Sequence, residues 1–376
     1  MKILQIHNEY KFFGGEDTVV KMERDLLSKN GHSVTQLIRS NKDEIKNIYD
    51  NFLILKNLHY SKKSIEILKE KIDINNPPDI VHIHNLFPLW TYSVFDFFKE
   101  NKIPMIMTLH NYRIVWDQYG ILDKKLINYG LFKNSKIKTI IVSKLLGRKK
   151  ELLNYVEKFI TFTEFTKNEF FKTHVSKEKF VIKPNFLNNK DIETKKFNNK
   201  NNVIFASRIS GEKGIKTLLR AWQNLDIRLN IYGDGPLLND IRKKNDTNKN
   251  LIFHGSQDRE IVEKEISNSK ILVFPSEWYE CMPMTILEAF RAGTLVVASN
   301  IGSIGHIIKD KYNGILFEPG NYKDLEEKIN WVLKNSDKSN TIANNALNDF
   351  NSLYNEETSY NQLVGIYKEV ITNYKR

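Results

Sequence analysis

The chain has 376 residues, 41% of them apolar and 27% charged, a balance that excludes a disordered or fibrous protein and leaves room for two ordinary domains with a sizeable core. Its one cysteine, Cys281, excludes a disulfide framework and a cysteine zinc site within the chain and fits a reducing compartment. The net charge of +12 lies wholly in residues 1–200, with 35 Lys/Arg against 23 Asp/Glu, whereas residues 201–376 carry 22 of each.

The N-terminus becomes charged too early for a signal peptide, and no run of about 18 apolar residues is present to span a membrane, so a cytoplasmic location is expected. Residues 3–6 predict a buried strand. A glycine turn, Phe13-Gly14-Gly15-Glu16-Asp17, leads into a helix predicted over 17–29 and stopped at Gly31. Strands are predicted at 34–38, 80–84 and 105–109, and again at 159–162 and 180–182. The Asn- and Lys-rich stretch 184–202 interrupts the pattern and reads as an interdomain linker. Strands then recur at 203–206, 228–232, 251–254, 271–274 and 295–298, with helices at about 214–223, 236–244, 258–268 and 284–292 between them. Residues 322–376 read as helical throughout. Alternation of this kind gives an α/β class with parallel sheets and right-handed crossovers, and two such halves place ligands at the carboxyl ends of their strands.

Several motifs fall at those ends. Gly14 and Gly15 either let the backbone approach a phosphate at a helix N-terminus or simply close a turn; the dinucleotide pattern G-x-G-x-x-G is absent, which disfavours a nicotinamide cofactor. His110, in Thr108-Leu109-His110-Asn111-Tyr112-Arg113, ends a strand where it can move a proton or polarise a hydroxyl. His82 and His84 lie on the preceding strand. The long spacing and the lack of an accompanying carboxylate favour hydrogen bonding over a metal. Arg208 and Lys213 bracket the turn 206–214, as a diphosphate clamp or as a solvated loop. Gly233 sits in a further glycine turn, Tyr232-Gly233-Asp234-Gly235-Pro236, beside a ligand or closing a bend.

The densest motif is Pro275-Ser276-Glu277-Trp278-Tyr279-Glu280-Cys281-Met282-Pro283-Met284-Thr285-Ile286-Leu287-Glu288-Ala289-Phe290-Arg291-Ala292-Gly293. Pro283 suits a helix start, leaving the N–H groups of Met284 and Thr285 for an anion. Glu280 and Glu288 can accept hydrogen bonds from sugar hydroxyls, or Glu288 can answer the helix dipole.

These residues resemble the family-four retaining glycosyltransferases (glycosyl transferases group 1). The resemblance covers nearly the whole chain and rests on Glu280-x7-Glu288, Arg208 to Gly214, Gly14-Gly15, His-Asn-x-Phe-Pro at 84–88 and the stretch 108–113. It implies a GT-B fold, two Rossmann-like domains facing across a cleft: an acceptor-binding domain at 1–185, a linker at 186–201, a nucleotide-sugar-binding domain at 202–352, and a helix at 353–376 that crosses back onto the first domain. It also implies roles. Arg208 and Lys213 would hold the donor diphosphate, Glu288 the ribose, and Glu280 hydroxyls of the transferred sugar. The Met284 and Thr285 backbone would cradle sugar and phosphate, Gly15 would admit the donor phosphate, and His110 would contact the sugar near the reacting centre. The donor is a nucleoside-diphosphate sugar, the acceptor a glycan or lipid-linked hydroxyl, and no cofactor or metal is implied. No Asp-x-Asp pair is present for a metal bridge.

Three departures stand out: Gly293-Thr294-Leu295-Val296 where relatives often have Gly-Thr-Pro-Val, His306 where they often have Glu, and a missing cysteine-rich insert. In place of that insert lies the basic stretch 124–150, with Lys124, Lys125, Lys133, Lys136, Lys138, Lys144, Arg148, Lys149 and Lys150, no acidic residue, and interleaved apolar ones. Such a segment reads as a surface for an anionic membrane or as a solvated face. A non-catalytic partner subunit of the same fold is a second reading. A nucleic-acid binder rests on charge alone, because no recognition module is evident.

Overall fold

The computed structural model describes residues 1–10, 14–47, 50, 54, 57, 60–112, 150–171, 175–188 and 197–374. The chain forms two compact units, Met1–Asn185 with Ser359–Arg376, and Phe186–Thr358. Each is built on a six-stranded parallel sheet.

The first sheet has the order β2-β1-β3-β4-β5-β6, from β1 (Lys2–Glu9), β2 (Ser33–Ser40), β3 (Ile80–Ile83), β4 (Met105–Thr108), β5 (Lys158–Thr161) and β6 (Phe180–Ile182). Its inner strands are buried on both faces, which explains why they read as short apolar runs instead of alternating ones. Ile3, Ile80, Ile106 and Ile160 pack on one face against Leu363, Val364, Tyr367 and Val370 of the C-terminal helix Glu356–Tyr374. The chain's last helix therefore completes the first unit's core.

The second sheet has the order β12-β11-β10-β7-β8-β9, from β7 (Asn202–Ala206), β8 (Leu229–Tyr232), β9 (Leu251–Gly255), β10 (Ser269–Phe274), β11 (Leu295–Ser299) and β12 (Ile315–Phe317). Phe205, Ile271, Val297 and Ile315 pack there with Leu218, Trp222, Leu325 and Ile329 from the flanking helices.

Three local features differ from the sequence reading. The strand β12, Ile315–Phe317, lies outside the predicted strands. The helical tail breaks into Tyr322–Lys334, Ser336–Leu353 and Glu356–Tyr374. Within 186–201, Phe186, Leu187, Phe197 and Lys200 are buried. Lys200 donates from Nζ to the carbonyls of Ala292 and Gly293 and to Thr294 Oγ1, closing the C-terminus of a helix, and burial pulls its pKa down to about 8.

Strand order reverses direction once in each sheet, between β1 and β3 in the first and between β7 and β10 in the second. Such switch points open a crevice beyond the carboxyl ends of the strands.

Candidate functional site

At the second unit's switch point, the loops leaving β7 and β10 are joined backbone to backbone. The first loop tightens into a 3-10 turn at Gly211–Lys213 and enters the helix Ile215–Ala221 through Gly214, whose φ of 69° is left-handed. The Glu277 N–H donates to the Glu212 carbonyl at 2.9 Å, and Ser276 Oγ lies 3.3 Å from the same oxygen. A Cβ on Gly214 would overlap the Pro275 carbonyl. This approach brings Lys213 Nζ within 2.5 Å of Glu280 Oε1, an oxygen that also accepts from Ser276 Oγ at 3.1 Å. Arg208 lies on the same loop, exposed and with no ion pair among the described residues.

The helix Met284–Arg291 follows directly from Pro283. The N–H groups of its first turn, Met284 and Thr285 among them, have no acceptor within the helix and make a place for negative charge. Glu288, one turn on, is buried, and desolvation raises its pKa against the opposing pull of Arg259. Arg259 Nη2 lies 3.0 Å from Glu288 Oε1 and its Nε lies 2.7 Å from Glu263, which also pairs with Arg291. Glu280 and Glu288 are thus held by different cations, Lys213 from the loop after β7 and Arg259 from the helix Arg259–Asn268. Sequence reasoning missed Arg259 and Glu263; their only signal was an i, i+4 Arg–Glu pair at the start of the helix predicted over 258–268. Gly233 has a structural reason to lack a side chain: at its φ of 130° a Cβ would overlap the Ser207 carbonyl, while the Ser207 N–H donates to the Tyr232 carbonyl.

In the first unit, the helix Gly15–Lys29 starts beside the end of β1. Gly14 is extended, and its N–H donates to Asp17 Oδ2 at 2.7 Å while His7 Nε2 meets Asp17 Oδ1 at 2.7 Å. The turn at Gly14-Gly15 is therefore fixed by a buried carboxylate and needs no left-handed backbone. His110 follows β4, and its Nε2 lies 3.0 Å from Nδ1 of His84 with the rings stacked. His82 is engaged at both ring nitrogens, by the Tyr367 hydroxyl and by Thr108 Oγ1.

The expectation that no carboxylate accompanies these histidines is corrected here. Glu23, two turns into the first helix, places Oε2 within 3.7 Å of both His82 Nδ1 and His84 Nε2. Its sequence signal was a charge on the apolar stripe formed by Val19, Leu26 and Leu27. Glu23, His82 and His84 bring three ligand-type atoms within 4.8 Å of one another. Two observations count against a cation there. Both His82 nitrogens are already hydrogen-bonded, and the buried Lys183 ammonium lies 2.9 Å from Glu23 Oε1, supplying the counter-charge. Burial lowers the pKa of His82 to about 4, and desolvation foremost, then the neighbouring imidazoles and Lys183, lowers those of His84 and His110 well below the usual range. The rings are neutral at physiological pH.

The basic residues Lys124, Lys125, Lys133, Lys136, Lys138, Lys144, Arg148 and Lys149 lie outside the described residues, as does Arg113. Among the described residues, no helix is long and apolar enough to cross a membrane.

The family model for glycosyltransferase family 4 matches residues 13–190 and that for glycosyl transferases group 1 matches residues 188–349, so the two meet where the compact units meet. The chain belongs to the group 1 glycosyltransferases. An uncharacterized glycosyltransferase of Methanocaldococcus jannaschii is 24% identical over 98% of this chain and 99% of its own. An Escherichia coli UDP-Gal:alpha-D-GlcNAc-diphosphoundecaprenol alpha-1,3-galactosyltransferase is 28% identical over 38% of this chain and 37% of its own. Among solved structures, sucrose-phosphate synthase of Thermosynechococcus elongatus superposes with a TM-score of 0.75 at 17% identity, covering 99% of both chains. The Anabaena protein HepE, solved in complex with UDP, does so with 0.71 at 17% identity, covering 98% of this chain and 100% of that one. Two Rossmann-like units with these neighbours make the fold of this group 1 glycosyltransferase GT-B.

Proposed function

We propose that this group 1 glycosyltransferase moves a hexose, with retention of anomeric configuration, from a nucleoside-diphosphate sugar to a hydroxyl of a glycan or lipid-linked acceptor in surface polysaccharide assembly. The observation that carries this reading is the pair of cation-held carboxylates, Lys213–Glu280 and Arg259–Glu288, at one switch point beside the N-terminus of Met284–Arg291. Ionised carboxylates accept from sugar and ribose hydroxyls, and in this reading Glu280 takes the transferred sugar and Glu288 the ribose. Arg208 and Lys213, with the helix N-terminus, offset the charge that develops on the leaving diphosphate, the electrostatic role otherwise given to a bridging metal. Gly14, Gly15 and His110 keep in this reading the phosphate- and sugar-binding roles that the resemblance implies. The galactosyltransferase relative, named for a diphosphoundecaprenol acceptor, supports a lipid-linked acceptor, and HepE's bound UDP supports a nucleotide donor.

Glu288→Ala is expected to lower kcat/KM for the donor about 10- to 30-fold, the cost of losing charge-assisted hydrogen bonds to two hydroxyls. A screen of nucleotide-sugars by hydrolysis finds the donor, and turnover unchanged by the substitution would remove Glu288 from the site. An inverted product, or activity abolished by a chelator and restored by a divalent cation, would overturn retention or metal independence respectively. An active wild-type chain would also dispose of the non-catalytic subunit.

The basic stretch 124–150 is proposed to hold the chain against the inner face of the cytoplasmic membrane. Each basic residue near an anionic surface contributes about 1 kcal/mol, so reversing Lys124, Lys125, Lys133 and Lys136 to Glu should release the protein from anionic vesicles at moderate salt. Unchanged co-sedimentation would end that assignment.

A further inference from the structure

Behind His110 lies a buried line of polar groups that the proposed chemistry leaves unused. His110 Nε2 and His84 Nδ1 are 3.0 Å apart, so one proton lies between two neutral rings and either ring can own it. On the far side of His84, Nε2 is buried with no hydrogen-bond partner, and so is Glu23 Oε2. These two atoms face each other at 3.7 Å. The other carboxylate oxygen is held by Lys183 at 2.9 Å. A carboxylate facing an imidazole lone pair is repelled, whereas one facing an N–H is attracted, and in a dry interior that difference is large. Glu23 therefore places the His84 proton on Nε2. His84 Nδ1 must then accept, so His110 must donate from Nε2, and the other nitrogen of His110 is left with a lone pair. The charged or titratable groups facing this line are Glu23, Lys183, His7 and His82. Each is fixed in turn: His7 by Asp17, and His82 by Tyr367 and Thr108.

We propose that Glu23 and His84 are positioning residues that set the proton order of this line and make Nδ1 of His110 an obligate acceptor for a hydroxyl of the transferred sugar. The second half of this statement rests on the placement of His110 at the sugar; the first half stands on the geometry alone.

Long-range nitrogen–proton correlation spectra of the histidine rings, assigned with His84→Gln and His110→Gln, test the proton order directly. The wild-type chain is expected to show both rings protonated at Nε2. In Glu23→Gln the amide oxygen stays on the Lys183 ammonium, which turns the amide N–H towards His84 and reverses the line. Both rings should then carry the proton at Nδ1, and kcat should fall about tenfold or more while the donor KM stays within about threefold, since the lost contact matters at the reacting sugar. A wild-type His84 protonated at Nδ1 would overturn the proposal without any variant. A Glu23→Gln spectrum identical to wild type would do the same. Reversed protonation with unaltered turnover would leave the proton order standing and overturn the placement of His110 at the sugar. If wild-type chain turns over no nucleotide-sugar, the functional reading fails while the spectra still decide the proton order.

Discussion

Gly214→Ala is expected to cost the second unit about 4 kcal/mol, from about 1–2 kcal/mol for a side chain at left-handed φ and about 1–3 kcal/mol for overpacking against rigid backbone. The clash partner is the Pro275 carbonyl, in the loop that carries Glu277 and Glu280, and backbone cannot swing aside as a lysine tip could. Relief must separate the loops after β7 and β10. That would break the Glu277 N–H to Glu212 bond and pull Lys213 from Glu280. The substitution should therefore lower stability and donor turnover together. Gly255→Ala is the control: its φ of 70° is just as left-handed, but nothing lies within 4 Å of the added carbon, so only the backbone cost of about 1 kcal/mol remains. Denaturant midpoints of the two variants give the comparison. Equal losses would show that the proposed clash is absent.

Acid should unfold the first unit early. His82 is fully buried and desolvation holds its pKa near 4, against a usual 6.5. Between those values the unfolded chain binds a proton that the folded chain refuses, so stability rises with pH across this window. The stabilisation is complete above pH 6.5 and is lost as pH falls towards 4, about 3 kcal/mol from His82 alone at 1.36 kcal/mol per unit. His84 is shifted in the same direction and steepens the slope. Stability measured from pH 7.5 to 4.5 should fall steeply, and His82→Gln should remove close to one proton from the pH dependence. A flat profile between pH 7 and 5, or an unaltered slope in the variant, would contradict a neutral buried histidine.

How much of this was legible in the sequence depended on whether the signal was local. Strand and helix alternation predicted both sheets because parallel strands buried on two faces are short apolar runs, as in Ile80–Ile83. The Glu280-x7-Glu288 motif was visible because loop and helix are contiguous. What holds those carboxylates was not, since Arg259 comes from a different helix and Lys213 from a different strand end. Glu23 was overlooked for the same reason: its partners are 59 or more positions away in the chain, and a single glutamate on an apolar stripe shows nothing of what it meets. The sequence leaves Gly233 either beside a ligand or closing a bend, and the structure adds that the Ser207 carbonyl requires a glycine there.

The helix Glu356–Tyr374 has a consequence for how the protein is made. It supplies Leu363, Val364, Tyr367 and Val370 to a core whose other members lie before residue 161. On the ribosome, those earlier residues emerge long before their cover does. The second unit, continuous from Phe186 to Thr358, can finish its core while the first still shows an open isoleucine face to solvent. The N-terminal half of the chain is thus the last to be sealed, and a stalled or truncated product would carry a sticky surface that the finished molecule hides.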